Sequence, residues 1–361
     1  MTTAAFRFAS ADPRYAPGEL ITHESIADEN EDGPAMHPDH QTIRAALALA
    51  VRAPSVHNTQ PWEWRLGDTT VQLYAAESRR LPHADPDCRE LLLSCGAALH
   101  HLTVAMRAFG WESQVHRFPN PEDRTHLAAI EFRHAGPDEE SVRLARAISR
   151  RHSDRRRFTS WEIPDGQIAA IAAAGTVPGV RVHSVDSTGE RARLLRAFEK
   201  AATEHAQDPG YVAELAAWSG HHAAPAGVPA RNAVAGTDPT VRPFGDPRLS
   251  EAVVTDTENA RMLVVCTGSN DWRAWLRAGE ATSAILLSAT ARGLATCPLT
   301  EPLELPSLRE RIRTELLGGF GYPQLIVRLG WASTSAEPVP TTPRLPLQDV
   351  LRPLEPTDSS R

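Results

Sequence analysis

The stretch CRELLLSCGAALHHLTVAMRAFGW, Cys88 to Trp111, is almost wholly apolar and long enough to form a single helix. A helix without a polar face is too sticky for a surface, so it belongs at the centre of a core. Its second part, GAALHHLTVAMRAFG from Gly96 to Gly110, can be laid over GEATSAILLSATARG from Gly279 to Gly293. Both windows run glycine to glycine over fifteen residues, matching Ala98 with Ala281 and Ala108 with Ala291. Alanine-rich helices often agree by chance, but these two sit in the same order of helices and strands. The pattern points to a duplicated α+β module. Adjacent duplicated modules often do in one chain what a two-fold dimer does with two.

Working outward, QTIRAALALAVRA has apolar positions at helical spacing and stops at Pro54, as helices usually do before proline. WEWRL and TVQLYA alternate around Gly67-Asp68 and predict a hairpin. HLAAIEF reads as a strand, and PDEESVRLARAISRR as a helix with Pro137 and acids at its front. In the second half DGQIAAIAAAG is helical and VRVHSV is a strand. Helical text runs from about Thr188 to Trp218, followed by a Gly/Pro/Ala-rich stretch to about Arg248. RMLVVC and PQLIVRLG are strands around the second buried helix, and the tail EPVPTTPRLPLQDVLRPLEP is expected to lie extended on the surface.

The totals exclude several classes. The chain has 361 residues, enough for one large domain or two ordinary ones with a sizeable core. Hydrophobic residues make up 41% and charged residues 23%, an ordinary globular balance. A net charge of −7 argues against nucleic acid as partner, since that needs a basic footprint. Cys88, Cys95, Cys266 and Cys297 form no CxxC pair and no zinc spacing, which suits reduced, buried thiols in cytoplasm. No segment reads as a membrane span, and the first residues lack the basic end and apolar run of a signal peptide. Residues 1–36 carry seven acids against two arginines and few large apolar side chains, so a mobile extension is expected there. The adjacent pairs His100-His101 and His221-His222 should point to different helix faces and make poor metal ligands; no metal is expected.

Three clusters carry chemistry. RAPSVHNTQPWEWR, Arg52 to Arg65, packs Ser55, Asn58, Thr59 and Gln60 between prolines and tryptophans, which either plain turn chemistry or a grip on a flat, polar-edged ligand would explain. SRRHSDRRRF, Ser149 to Phe158, holds five arginines with His152, Ser153 and Asp154 at the end of a helix. That pole of a helix does not attract anions, so any anion there is held by the side chains: arginine forks bind phosphate bidentately and a serine adds a donor. A solvated basic stretch complementing the helix C-terminus is the plainer alternative. RGLATCPLTEPLE, Arg292 to Glu304, reads as a loop held open by Pro298 and Pro302, with backbone N–H groups free to face a ligand. No Ser/His/Asp set, Walker motif or dinucleotide glycine fingerprint stands out.

Taken together, APSVHNTQPW, RHSDRRRF, RGLATCPLTEP and the terminal PRLPLQDVL resemble the nitroreductase superfamily of FMN proteins, over roughly residues 40 to 355. The order is reversed relative to an ordinary member, which resembles the Acg-like branch, dormancy-associated flavoproteins with two fused modules. The resemblance implies an α+β fold of two nitroreductase-like modules, each an antiparallel-type sheet flanked by helices, forming a pseudo-dimer. Module 1 would span 37–140 and module 2 141–361, the latter with a lid insertion at about 203–248 and an extended tail. It implies that Arg151, Ser153, Arg155 and Arg344 hold the FMN phosphate and ribityl chain, with Arg155 alternatively at the N1–O2 edge of the flavin. His152 would pack on the ribityl side. Pro298, Leu299 and Thr300 match the loop that gives an N–H to flavin N5. Pro54, Ser55, Asn58 and Gln60 match what an ordinary dimer supplies from its other subunit. The second site lacks an Arg-x-Ser-x-Arg element, and its nearest echo of QPW is RPFG, Arg242 to Gly245, so one FMN per chain is expected.

Two functions follow from the resemblance. One is an NAD(P)H-dependent oxidoreductase in which hydride passes through flavin N5 to a small-molecule acceptor, without a catalytic side chain. The other is a storage protein whose lid buries FMN and permits little turnover. A monomer-capable pseudo-dimer in the cytoplasm suits both.

Overall fold

The computed structural model describes residues 36–236, 238–251 and 257–354. Apart from Met36, the extension expected over residues 1–36 lies outside them.

Asp39 opens α1 (His40–Ala50) by accepting from the Thr42 N–H, an N-cap that satisfies an otherwise orphaned donor. The hairpin is β1 (Trp62–Leu66) against antiparallel β2 (Thr70–Ala75). The apolar run forms α2 (Arg89–Ala108), followed by β3 (Trp111–Arg117) and β4 (His126–His134). Asp138 caps α3 (Glu139–Arg150), and α4 (Asp165–Ala174) leads to β5 (Val180–Ser184). The run expected from Thr188 to Trp218 is two helices, α5 (Thr188–Ala206) and α6 (Pro209–Ala217). The break falls at Asp208-Pro209, because the proline ring cannot continue a helix but fits its first turn, and Asp208 caps the new start.

The Gly/Pro-rich stretch contributes only short strands, β6 (Ser219–His221) and β7 (Val228–Pro229). After β8 (Arg261–Thr267) comes the second buried helix, α7 (Trp272–Ala291), capped by Asp271. The segment expected to be an open loop is instead β9 (Ala295–Leu299) and α8 (Glu301–Glu304). Pro298 fits a strand here because β9 is an edge, where a missing N–H breaks no ladder. Then follow α9 (Pro306–Glu315) and β10 (Tyr322–Gly330). The tail is not wholly extended: Leu347–Val350 make one helical turn, α10, and Leu351–Pro353 form β11.

Among the described residues the strands form a sheet of order β11-β1-β2-β4-β3, another of order β5-β8-β10-β9, and the small pair β6-β7. Both larger sheets are antiparallel except at β1–β11, where the tail joins in parallel. Between them α2 and α7 cross at glycine. A Cβ on Gly96 would meet the Leu276 carbonyl at 2.0 Å and the Gly279 Cα at 3.0 Å. One on Gly279 would meet the Leu93 carbonyl at 2.0 Å. The two residues that open the matching fifteen-residue windows therefore meet in space. By length and composition α2 is apolar enough to cross a membrane, contrary to the reading of the sequence, but it is spent on this packing and on the core.

His100 and His101 do not diverge as adjacent helical residues usually do: both ring Nδ1 atoms lie 2.8 Å from the Ser283 hydroxyl of α7. Burial holds both rings below the ordinary histidine value, His100 at about 4. His152 is also held at about 4, by burial and then by Arg151, Arg52 and Arg344. The unfolded chain protonates these rings near pH 6.5 while the fold resists, so stability is full above that pH and falls as pH drops toward 4. The expected melting temperature is level from pH 8 to 7 and declines below about 6.5. The fully buried His101 contributes a slope of about 1.4 kcal/mol per pH unit, and His101→Gln should flatten the decline.

Candidate functional site

The segment after α3 is positioned by the free edge of β9. Ser153 bridges to Thr296 in parallel, and the Asp154 N–H donates to the Thr296 carbonyl at 2.9 Å. This docking carries Arg151, Ser153 and Arg155 to the end of β9, beside Pro298, Leu299 and Thr300. The turn after α1 closes from the other sheet. It is strained: His57, Asn58 and Gln60 have φ of 45°, 55° and 53°, a region that few side chains enter without compensation.

Compensation comes from hydrogen bonds to distant segments. Asn58 Nδ2 donates to the carbonyls of Gly227 and Pro343 at 3.0 and 3.2 Å. Gln60 Nε2 donates to the Pro225 carbonyl at 2.9 Å, and its Oε1 accepts from the Leu345 N–H at 2.8 Å. Ser55 Oγ accepts from the Gln60 N–H at 2.9 Å. The polar side chains of the turn thus fasten the Gly/Pro-rich segment on one side and the tail on the other.

Between these elements lies a cavity lined by Pro54, Ser55, Asn58, Arg151, Ser153, Arg155, Pro298, Leu299, Thr300 and Arg344. Of the residues singled out in the sequence, Gln60 and His152 are outside the lining. At one end the charges are uncompensated. Arg151 is buried, and its Nε and Nη1 have no partner among the described residues. Its guanidinium is held down at about 10 by burial, then by Arg52 and Arg155. Arg344 is held at about 9 by burial, then by Arg151 and Arg52. Among the described residues no carboxylate offsets these cations. Arg344 donates through Nη2 to the carbonyls of Arg52 and Ala53, both at 3.1 Å, and through Nη1 to those of Thr342 and Pro343 at 3.3 and 2.9 Å, which leaves its Nε unpaired. Such a cluster is suited to an anion, which would remove the mutual repulsion and supply the missing acceptors. The other arginines of SRRHSDRRRF differ: Arg156 is paired with Asp154 at 2.8 Å.

At the other end the Gly/Pro-rich segment delivers Arg242 and Phe244. Arg242 forms a buried ion pair with Glu304, and its Nη1 reaches Tyr211 Oη at 2.7 Å and His57 Nε2 at 2.8 Å. Arg155 lies over the Phe244 ring at 4.9 Å and donates to the Asn232 carbonyl at 3.1 Å. Reading the sequence missed Arg52, His57, Glu90, Asn232 and Arg242 as parts of this site. Arg52 and His57 stood in the quoted turn; Glu90 opens the buried helix, where nothing distinguished it from a capping acid. Among the described residues no group of three His, Cys, Asp or Glu is placed to hold a metal.

The family model described as "Nitroreductase family" matches residues 148–331, half of the chain. This chain belongs to the nitroreductase family. Within it, the chain sides with the Acg-like branch. It is 46% identical over 320 residues to "Putative NAD(P)H nitroreductase Rv3131" of Mycobacterium tuberculosis, covering 87% of this chain and 92% of that protein. It is 38% identical over 320 residues to "Putative NAD(P)H nitroreductase acg" of the same organism, covering 85% and 94%. Among solved nitroreductases, FMN-dependent NfnB from Mycobacterium smegmatis in complex with NADPH is 18% identical, covering 60% of this chain and all of that one with a TM-score of 0.40. The matched span contains the arginine segment, β9 and α8, but neither the turn after α1 nor Arg344.

Proposed function

We propose that this nitroreductase-family chain is an FMN-dependent NAD(P)H oxidoreductase that binds one FMN in the cavity and reduces a small-molecule acceptor. The reading rests on one observation above all: a cluster of buried Arg151 and half-buried Arg344 with Arg52 behind it, each with an unpaired guanidinium nitrogen and, among the described residues, no carboxylate, at one end of a cavity lined by apolar residues and backbone. A phosphate monoester satisfies it. FMN, when bound, supplies hydride acceptance and donation at N5. The chain's own residues hold and orient: Arg151, Arg344 and Ser153 take the phosphate and ribityl end, and Arg155 offers a cation nearer the middle of the cavity. Leu299 and Thr300, at the junction of β9 and α8, offer backbone to the flavin edge, while Pro54 and Ser55 close the opposite wall. Two fused modules, 37–140 and 141–361, account for a cavity built from both sheets in one chain. The pseudo-dimer needs no second copy, and free cysteines, with Cys95, Cys266 and Cys297 buried and Cys88 half-buried, suit a cytoplasmic setting.

A second reading, storage of FMN with little turnover, is favoured by the closure of segment 203–248. Asn58 and Gln60 bind its carbonyls, and the Arg242–Glu304 pair is buried against the far end of the cavity. Anaerobic mixing of the flavin-loaded protein with NADPH, and separately NADH, decides between them. The oxidoreductase reading expects rapid bleaching of the visible flavin band. Persistence of the yellow with both donors, together with bleaching by dithionite, would overturn that reading in favour of storage.

A further inference from the structure

His57 is 6% exposed and lines the cavity from the strained turn. Its Nε2 lies 2.8 Å from Arg242 Nη1. A guanidinium can only donate, so Nε2 must accept and carries no proton. Burial, then Arg242 and Arg155, hold the ring well below its ordinary value, so it does not take a second proton. The single proton of the neutral ring therefore sits on Nδ1, the tautomer that free histidine does not favour. That Nδ1 is buried and has no partner among the described residues. Glu90, which lines the same cavity and faces Arg242, presents a second orphan: its Oε1 accepts from Arg89 at 2.8 Å, while its Oε2 is buried without a partner among the described residues.

Arg242 is not free to change this arrangement. Glu304 neutralises it, Tyr211 Oη lies against it, and Thr300 Oγ1, which donates to Glu304 at 2.8 Å, ties the pair to the β9–α8 junction. Glu301 and Glu90 also face Arg242, and burial, then Glu304, pushes the Glu90 carboxyl well above its ordinary value, so this end carries no excess of positive charge, unlike the arginine end. A buried donor left unsatisfied is costly, and an incoming acceptor atom recovers that cost.

We propose that His57 is a specificity-determining residue whose Nδ1–H donates to an oxygen of an uncharged small molecule, its tautomer fixed by the Arg242–Glu304 pair. The ligand class is a neutral carbonyl-type acceptor such as a quinone; an ammonium or another donor finds no partner at this atom. The assignment of that ligand as substrate rests on the oxidoreductase reading above, whereas the tautomer does not.

The experiment is nitrogen NMR of 15N-histidine-labelled, flavin-loaded protein, with the His57 signals assigned by their loss in His57→Gln. The expected spectrum has a protonated Nδ1 and a bare Nε2; a protonated Nε2 or a charged ring overturns the proposal. Menadione, an uncharged quinone, is then titrated in, and the Nδ1–H signal is expected to shift. A saturating titration that leaves it unmoved overturns the ligand assignment. Reoxidation of the dithionite-reduced protein by menadione gives the functional arm. His57→Asn, which keeps an N–H near the Nδ1 position and tolerates positive φ, should hold the half-saturating menadione concentration within about twofold. His57→Gln, which places its amide near Nε2, should raise it about tenfold. Equal values for the two variants sink the donor role. Protein that never binds flavin would refute the FMN reading while the tautomer could still be read.

Discussion

Arg151→Ala is expected to leave a folded protein with greatly weakened FMN binding and undiminished riboflavin binding. Two nitrogens of Arg151 lack partners among the described residues, so its removal breaks no bond made by them there. It also removes one cation from a group whose members repel one another, so the melting temperature of the flavin-free protein should hold or rise. A charge-assisted hydrogen bond is worth about 1.5–3 kcal/mol, or about 10- to 150-fold in affinity. Adding Arg344→Ala should bring the loss to about 10²–10⁴-fold, with some cost to the tail, since Arg344 also holds the carbonyls of Arg52 and Ala53. Riboflavin is the control because it lacks only the phosphate. Fluorescence titrations of both flavins against both variants check the prediction. A parallel loss for FMN and riboflavin would place Arg151 elsewhere on the flavin; no loss for either would remove the arginine cluster from the site altogether.

The sequence made this cluster visible but not its selectivity. Five arginines in ten residues mark a basic stretch, yet which of them is buried without a counter-ion depends on where the chain turns. Asp154 takes Arg156, and the bridge from Ser153 to Thr296 rotates Arg151 and Arg155 inward. Neither fact has a local signature. The elements with strong periodicity or caps were legible: α1, the β1–β2 hairpin, α2, α3 and α7. Those that depend on a neighbour were not. β9 carries a proline and exists as a strand because β10 offers its edge, and β11 exists because β1 accepts the tail in parallel. The turn after α1 was legible as unusual, through its density of polar groups. What those groups hold was hidden, because Gly227, Pro225, Pro343 and Leu345 are far away in the chain and offer only backbone atoms. Arg242 escaped for a related reason. An arginine in a Gly/Pro-rich stretch looks like a solvated charge until Glu304, Tyr211 and His57 are brought around it.

Gly279→Ala is expected to be among the most destabilising single methyl additions in the chain. Its new Cβ would lie 2.0 Å from the Leu93 carbonyl oxygen and 2.7 Å from the carbonyl carbon. These are backbone atoms of a helix, so no rotamer change relieves the clash; α2 and α7 must move apart along their whole contact. Overpacking of this kind costs about 1–3 kcal/mol or more, against a helix-propensity gain of about 1 kcal/mol from replacing glycine. The upper end applies because the opposing surface is rigid, so a net loss of about 2 kcal/mol or more is expected. Gly96→Ala meets the Leu276 carbonyl at the same 2.0 Å and should cost as much. Gly166→Ala is the control: it lies in α4, where a Cβ has nothing within 4 Å, and should be neutral or slightly stabilising. Denaturant midpoints for the three variants test this. If Gly279→Ala and Gly166→Ala behaved alike, the glycine-to-glycine crossing would not be the packing constraint. The double variant carries the sharper content. Once one methyl has forced the helices apart, the second adds little, so Gly96→Ala with Gly279→Ala should lose clearly less than the sum of the singles. That shortfall would express as an energy what the structure shows, that the glycines opening the two matching sequence windows are the two halves of one contact.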